Sequence, residues 1–510
     1  MDLCKVEILF IICCAALDPT VLAESSHTQS TGIRATMRDE LTTDNDGDGR
    51  AESGDTLTYT IIVTNTGTIV NGIGFSATPD VNTPIVPGSI EISPMAIDDS
   101  YTTFGGSDLV VNASDGLLSN DFDPDGDPLS IAVFDATSTL GAVVLVNPSD
   151  GSFTYQPPGG FQGTDMFSYG LDDGFGGVVV GTATVTSEGQ IWFVDNTAPQ
   201  GGDGSMPAPF DNLADAETSS ASGDTIFVFR GDGTDHKLDQ GFVLKENQRF
   251  LGQGFDLKVG DQVIVAASGS PVISNTSHTV VLASGSFVAG FTIGSVSGSG
   301  MVNPVAPLSG VEVREVTITQ TGEAGIRLAS ADDLTLENIS ILNSHSDGVA
   351  FGIASGSSTL SNIRIQNASG DGIVIADSTK TAISISGIEI MNVTGSGLHI
   401  ADASGNLAID QLSIDGTDQA GLSITNHQGS VTINNGSIRE TLGQAILVEG
   451  AAPSVTYNGQ IDNGDDHLLS VVNTSGGAVA LSGGPFTDVF GLGIEIDNCL
   501  GGVSVSSASL

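Results

Sequence analysis

Asp44, Asp46 and Asp48 alternate with Asn45 and Gly47, Gly49 follows, and Asp55 stands at position 12 counted from Asp44. Carboxylates at alternate positions of a tight loop converge on one point, and glycine at the sixth position permits the sharp turn. This is the donor pattern of a calcium loop. Asp55 is shorter than the Glu that usually supplies two oxygens at position 12, and a solvated acidic turn is the competing reading of the same residues. A second stretch, Asp121-Phe-Asp123-Pro-Asp125-Gly-Asp127, repeats the alternation. Its position 12 is Ala132, so it is not a complete loop of that type, and a polar turn closed by Pro124 and Pro128 is its alternative.

A third set lies further along. Asp347 and Asp371 each precede a glycine, Gly348 and Gly372, at equivalent points of a repeat. Equivalent residues on adjacent coils of a stacked sheet lie about 5 Å apart. Two carboxylates at that distance can share a proton or hold a cation. Asp before Gly is also ordinary turn chemistry, which is the reading preferred here. Asp332, Asp333 and His345 are close in sequence, and Arg327 and His399 fall at outward strand positions three coils apart. Arg364 and Glu389 are expected to meet as a surface ion pair of small worth. There is no Gly-x-Ser-x-Gly, no His-Glu-x-x-His and no phosphate loop. Cys499 has no evident base nearby and reads as a structural thiol.

The elements that position the third set are legible as a repeat. Gly325, Gly348, Gly372, Gly397 and Gly421 each open a short apolar strand, at spacings of 23, 24, 25 and 24 residues. Ile318, Ile341, Ile365, Ile390, Ile414 and Ile438 keep step, as do Val313, Leu336, Leu360, Ile385, Ile409 and Ile433. Three in-phase strands per turn of about 24 residues bury every apolar face only by stacking as a parallel β-helix. Asn343, Asn367 and Asn392 recur at one turn. They predict a ladder of side-chain amides on a left-handed backbone. Pro209–Glu217 predicts a short amphipathic helix, apolar at Phe210, Leu213, Ala214 and Ala216, capping the first coil. Gly223–Phe229 and Asn247–Gly254 follow as early coils, and Val503–Val505 still reads as coil strand near the end, which suggests a truncated solenoid.

The 510 residues carry 61 Asp plus Glu against 14 Lys plus Arg, a formal net charge of −47. So few cations cannot neutralise a run of phosphates, which excludes nucleic acid as a partner and disfavours anionic membranes. Divalent cations suit this balance, and self-repulsion keeps the chain soluble. Ile8–Leu17 is an apolar run too short to span a bilayer, and Val21-Leu-Ala23 offers a cleavage site, so residues 1–23 read as an export signal. Cleavage there removes Cys4, Cys13 and Cys14 and leaves Cys499 alone, with no intrachain disulfide. No other stretch is long enough for a transmembrane segment.

Two shorter regions precede the solenoid. In residues 24–95, the acidic loop, the strand Thr56–Thr64 and the turn Asn65-Thr-Gly67 resemble an immunoglobulin-like repeat of bacterial cell surfaces. In residues 96–187, the phrases Ala96-Ile-Asp98-Asp99, Asn120–Leu129, Phe153-Thr-Tyr155 and Phe161–Tyr169 resemble bacterial cadherin-like repeats of large adhesins. Phe153/Tyr155 and Phe167/Tyr169 are spaced by two, so each pair lines one face of a strand. That resemblance implies calcium at Asp98, Asp99, Asp121, Asp123, Asp125 and Asp127. Residues 188–510, with the helix–strand–Leu251-Gly-Gln-Gly254 order, resemble the pectin-lyase-like right-handed β-helix. The expected fold is therefore all-β: two β-sandwiches, then a right-handed parallel β-helix. The expected function is a secreted, calcium-stabilised surface or adhesion protein that presents the solenoid to an extracellular glycan or protein. A secreted polysaccharide lyase or hydrolase with accessory sandwiches is the alternative.

Overall fold

The structure, a computed structural model, describes residues 4–13, 33–51, 54–65, 86, 90–175, 178–303, 307–352, 356–376, 381–463, 466–488 and 493–506. The expected cleavage point at Ala23 lies outside them. The chain divides into two compact units. One runs to Glu188 except for Phe104–Gly106 and Gly159–Phe161; these two segments join Gly189–Leu510 in the other.

In the first unit, Ile33–Thr43, Thr56–Asn65, Cys4–Cys13 and Glu91–Ile92 form one four-stranded antiparallel sheet in that order. The expected immunoglobulin-like sandwich is thus seen as one sheet among the described residues. Cys4–Cys13, part of the expected export signal, pairs here as a strand, because a short apolar stretch such as Ile8–Cys13 suits a buried strand as well as a signal core. The cadherin-like region is two-layered. Ser130–Phe134, Gly163–Asp172 and Val179–Val194 pair in one sheet, and Leu109–Val111, Phe153–Gln156 and Val143–Val146 in the other. The spacing-of-two rule holds: Phe153, Tyr155, Phe167 and Tyr169 are all buried in one core with Leu117 and Val144. Phe153 meets Phe167 edge to face at 5.4 Å.

The second unit is the solenoid. Its strands pair in parallel, coil on coil, apart from the antiparallel pair Leu257–Val259 and Gln262–Val265, and one of its sheets has 11 strands among the described residues. The repeat columns read from sequence are the register. Val313, Leu336, Leu360, Ile385, Ile409 and Ile433 stack in order, as do Ile318, Ile341, Ile365, Ile390, Ile414 and Ile438. Every one of these residues is buried. At the turn, Asn367 donates to Asn343 at 2.9 Å and Asn392 to Asn367 at 3.5 Å, with φ of 60°, 58° and 52° along the column. A second ladder, Asn362 to Asn338 at 2.9 Å, was not foreseen.

The cap helix starts later than expected, at Leu213, and runs to Ser219. The Asn212 side chain accepts from the Asp215 N–H, which fixes the start, while Phe210 bridges Val194 as strand. Leu213 and Ala216 are buried, but Ala214 faces solvent.

The faces of the solenoid differ. On one sheet the outward positions of five successive coils include Thr359/Ser361, Ser384/Ser386, Ala408/Asp410, Thr432/Asn434 and Thr456/Asn458. Around the next corner of the same coils they are Arg364/Gln366, Glu389/Met391, Ser413/Asp415, Ser437/Arg439 and Gln460/Asp462. The expected Arg364–Glu389 pair forms there at 3.4 Å.

Candidate metal centres and a coil-face carboxylate pair

The first acidic loop folds around its own backbone. Asp44 accepts from the N–H groups of Gly47 at 2.7 Å and Gly49 at 2.8 Å, and Gly47 and Gly49 both hold φ above +70°. The Gly49 N–H in particular holds the Asp44 carboxyl below its ordinary range, so it stays ionised. Asp46 accepts from Asp48 N–H, and Asp48 from Arg50 N–H. The result brings one oxygen of each of Asp44, Asp46 and Asp48 within 4.8 Å of the others. Asp55 does not join that group. It is buried beneath the loop and accepts from the Asn45 N–H at 2.9 Å.

In the cadherin-like region the six expected residues separate. Asp123, Asp125 and Asp127 converge within the same 4.8 Å limit. Oδ1 of Asp123 gathers the N–H groups of Asp125, Gly126 and Asp127, while its Oδ2 is buried with no hydrogen-bond partner. Asp125 also accepts from the Ile92 N–H at 2.6 Å. Burial, with Asp123 and Asp125 beside it, pushes the Asp127 carboxyl up. An all-carboxylate donor set with an orphaned buried oxygen fits a hard divalent cation.

Asp99 and Asp121 form a different group. Both accept from the single hydroxyl of Tyr169, at 3.0 and 3.1 Å, and the carbonyls of Ile97 and Leu117 face the same hydroxyl. One O–H proton cannot serve four acceptors. Burial, the largest cause for each, pushes both carboxyls up to about 6. Asp98 accepts from the Thr182 N–H at 2.9 Å, and its charge adds to the rise of Asp121. Sequence reasoning missed Asp165, fully buried, which accepts from the hydroxyls of Ser138, Thr139 and Tyr155 and the N–H groups of Leu140 and Met166. Burial works to raise its carboxyl, but these donors outweigh that and hold it low.

On the solenoid, Asp347 Oδ1 accepts from the Asp371 N–H at 2.9 Å, and Asp371 Oδ1 from the Ser396 N–H at 2.5 Å. Each carboxylate staples its coil to the next. His399, at the outward strand position expected, also reaches back to the pair: its Nδ1 lies 2.9 Å from Asp371 Oδ2, and its Nε2 lies 3.4 Å from Thr425 Oγ1. The Asp371 hydrogen bond raises the His399 imidazole above its ordinary value. Burial raises Asp347. Arg327 is three coils from His399, as expected from register. His345 is tied to the Thr321 carbonyl at 2.8 Å. The Cys499 thiol, half-buried, donates to the Val471 and Asp497 carbonyls.

Two family models agree with this architecture. Residues 92–189 match the family model of the bacterial cadherin-like domain, and residues 257–401 that of the right-handed beta helix region. No curated protein matches the chain by sequence. Among solved structures, a rhamnogalacturonan lyase is similar at 11% identity and a TM-score of 0.22, over 57% of this chain and 74% of that one. The catalytic domain of an alpha-1,3-glucanase in complex with nigerose is similar at 8% identity and a TM-score of 0.26, over 99% and 88%. No helix among the described residues is long and apolar enough to cross a membrane. The chain therefore combines a bacterial cadherin-like domain with a right-handed parallel β-helix of about 24 residues per coil.

Proposed function

We propose that the chain is an exported surface protein whose N-terminal unit is stiffened by calcium and whose β-helix presents an extended, non-catalytic face to an extracellular partner. The observation that carries the reading is the convergence of two Asp triads, one of which keeps a buried carboxylate oxygen without a partner. Asp44, Asp46 and Asp48 would hold one ion, and Asp123, Asp125 and Asp127 another. Asp99 and Asp121, which share the Tyr169 hydroxyl, are the third candidate group, and Asp55 and Asp98 support the fold around these sites. Bound calcium supplies positive charge that lets like-charged carboxylates stay together without protonation. The protein contributes loops already shaped by their own N–H groups. Binding to the folded state alone raises the melting temperature. Equal melting curves in calcium and in chelator would refute the reading.

The alternative, a secreted polysaccharide lyase or hydrolase, gains one observation: the Asp371–His399 contact one coil from Asp347. Both carboxylates are nevertheless occupied as backbone staples, which is what a structural role requires. Purified protein with calcium should release no new reducing ends from pectate or alginate, and activity abolished by Asp347→Ala would reverse this assignment.

A further inference from the structure

The solenoid carries a surface that neither the repeat nor the metal loops require. Ten of its outward positions over five coils, Thr359/Ser361 through Thr456/Asn458, contain a single charged residue, Asp410, which accepts from Asn435 Nδ2 at 2.8 Å. The adjoining face of the same coils carries five charges in its ten positions: Arg364, Glu389, Asp415, Arg439 and Asp462. The protein as a whole is strongly acidic. Neutrality on one face, next to a charged face on the same strands, is a property of that face and not of the composition.

Its chemistry is narrow. Apart from Ala408 and Asp410, every position is Ser, Thr or Asn, each able both to donate and to accept. The coils set these groups in rows about 4.8 Å apart, and the two positions of each strand lie about 7 Å apart. First row to fifth, the array is about 19 Å long. The side chains are short and stand on strands whose inward neighbours, Leu360, Ile385, Ile409, Ile433 and Tyr457, are buried, so little rotamer freedom is lost on contact.

We propose that this face binds an ordered, uncharged polysaccharide whose hydroxyls hydrogen-bond along the rows. The inference deepens the surface role proposed above and rests on it. A neutral glycan fits because no charge has to be stripped of water. An acidic glycan does not fit, since the face offers no Lys or Arg. A protein partner would want aromatic, Met or Arg anchors, and the face presents none outward.

The test uses the full chain in calcium, co-sedimented with microcrystalline cellulose, with chitin and with polygalacturonate-coated beads. Retention on at least one neutral polymer and not on polygalacturonate is expected. Thr432→Lys with Thr456→Lys should lower that retention about tenfold or more. Ser413→Lys with Ser437→Lys, on the adjoining face of the same coils, should leave it unchanged. Unchanged melting of both variants shows that they fold. If the first variant fails to fold, displacement of the parent protein by soluble hydroxyethylcellulose tests the same claim. No retention on either neutral polymer, or equal loss in the two double variants, overturns the inference. So does inhibition of ice growth without retention on a polymer, which would assign the face to ordered water. A chain that melts higher in calcium but is not retained would leave the surface role standing and remove only this inference.

Discussion

The Asp-rich loops of the N-terminal unit and the Asp and Asn turns of the solenoid use the same residue types to opposite ends. In the solenoid, Asp347 and Asp371 accept from the N–H of the next coil, and Asn343, Asn367 and Asn392 pair amide to amide. Each group is separated from its equivalent by one coil rise and has its own donor. In the cadherin-like domain, Asp123 takes three N–H groups on one oxygen and leaves the other buried and alone, while Asp99 and Asp121 share the Tyr169 hydroxyl and Asp121 also accepts from the Ile97 N–H at 2.7 Å. The lesson is that an acidic composition does not specify metal binding. Carboxylates one coil apart, each capped by the N–H of the next coil, close a structure by themselves, whereas converging carboxylates repel one another, and a cation or a proton relieves that repulsion.

The comparison breaks most visibly if the solenoid core also depends on calcium. Ile409→Ala removes a fully buried side chain between Ile385 and Ile433 and should cost about 4 kcal/mol. Urea titration followed by local hydrogen exchange should give the same loss with calcium and with chelator. On the other side, Asp165→Asn separates a buried structural carboxylate from the metal candidates. Ser138, Thr139 and Tyr155 lose an ionised acceptor, for a loss of about 3 kcal/mol. The calcium-induced rise in melting temperature should survive. Its disappearance would make Asp165 part of the cation site.

Much of this contrast was legible in the chain. The period of about 24 exposed the solenoid because its inward residues are almost all Ile, Leu or Val. The 1-3-5 spacing exposed the first triad because alternate residues of a tight loop share a side; in the second loop the count began at Asp121, which the structure sets with Asp99, and the converging residues are Asp123, Asp125 and Asp127. The rest needed contacts between distant segments. Tyr169, which divides Asp99 and Asp121 from the Asp123–Asp127 triad, lies 48 residues beyond Asp121. His399 reaches Asp371 across 28 residues, which the repeat register could have revealed had it been carried one strand further. The helix start was misplaced although its signal was present: Asn212 with Asp215 three residues on is a cap pattern.

A smaller effect sharpens the account of the ladders. Asn367→Ala removes the middle rung and places a Cβ-bearing residue without a polar side chain at φ 58°. A loss of about 1 kcal/mol is expected, visible as faster exchange in the coils on both sides and unaffected by calcium.

The smallest effects are in pH dependence, where two histidines of neighbouring coils act in opposite directions. His399 is raised, chiefly by its Asp371 hydrogen bond, so its contribution is complete below the unfolded value of 6.5 and fades as pH rises through the folded one. His427 is fully buried, and burial lowers it. Its contribution is present above 6.5 and is lost as pH falls toward the folded value. His399→Ala should therefore destabilise more at pH 5.5 than at pH 8, and His427→Met should make the coils less sensitive to acid. Melting curves of the two variants across that range check both signs.

Hydrogen exchange of the full chain with and without calcium tests the central claim most directly. The account predicts protection gained around residues 44–49 and 121–127 and none gained in the coils from Ile326 to Val448. Loops that exchange equally fast in calcium and chelator, or coils that gain as much protection as the loops, would contradict it.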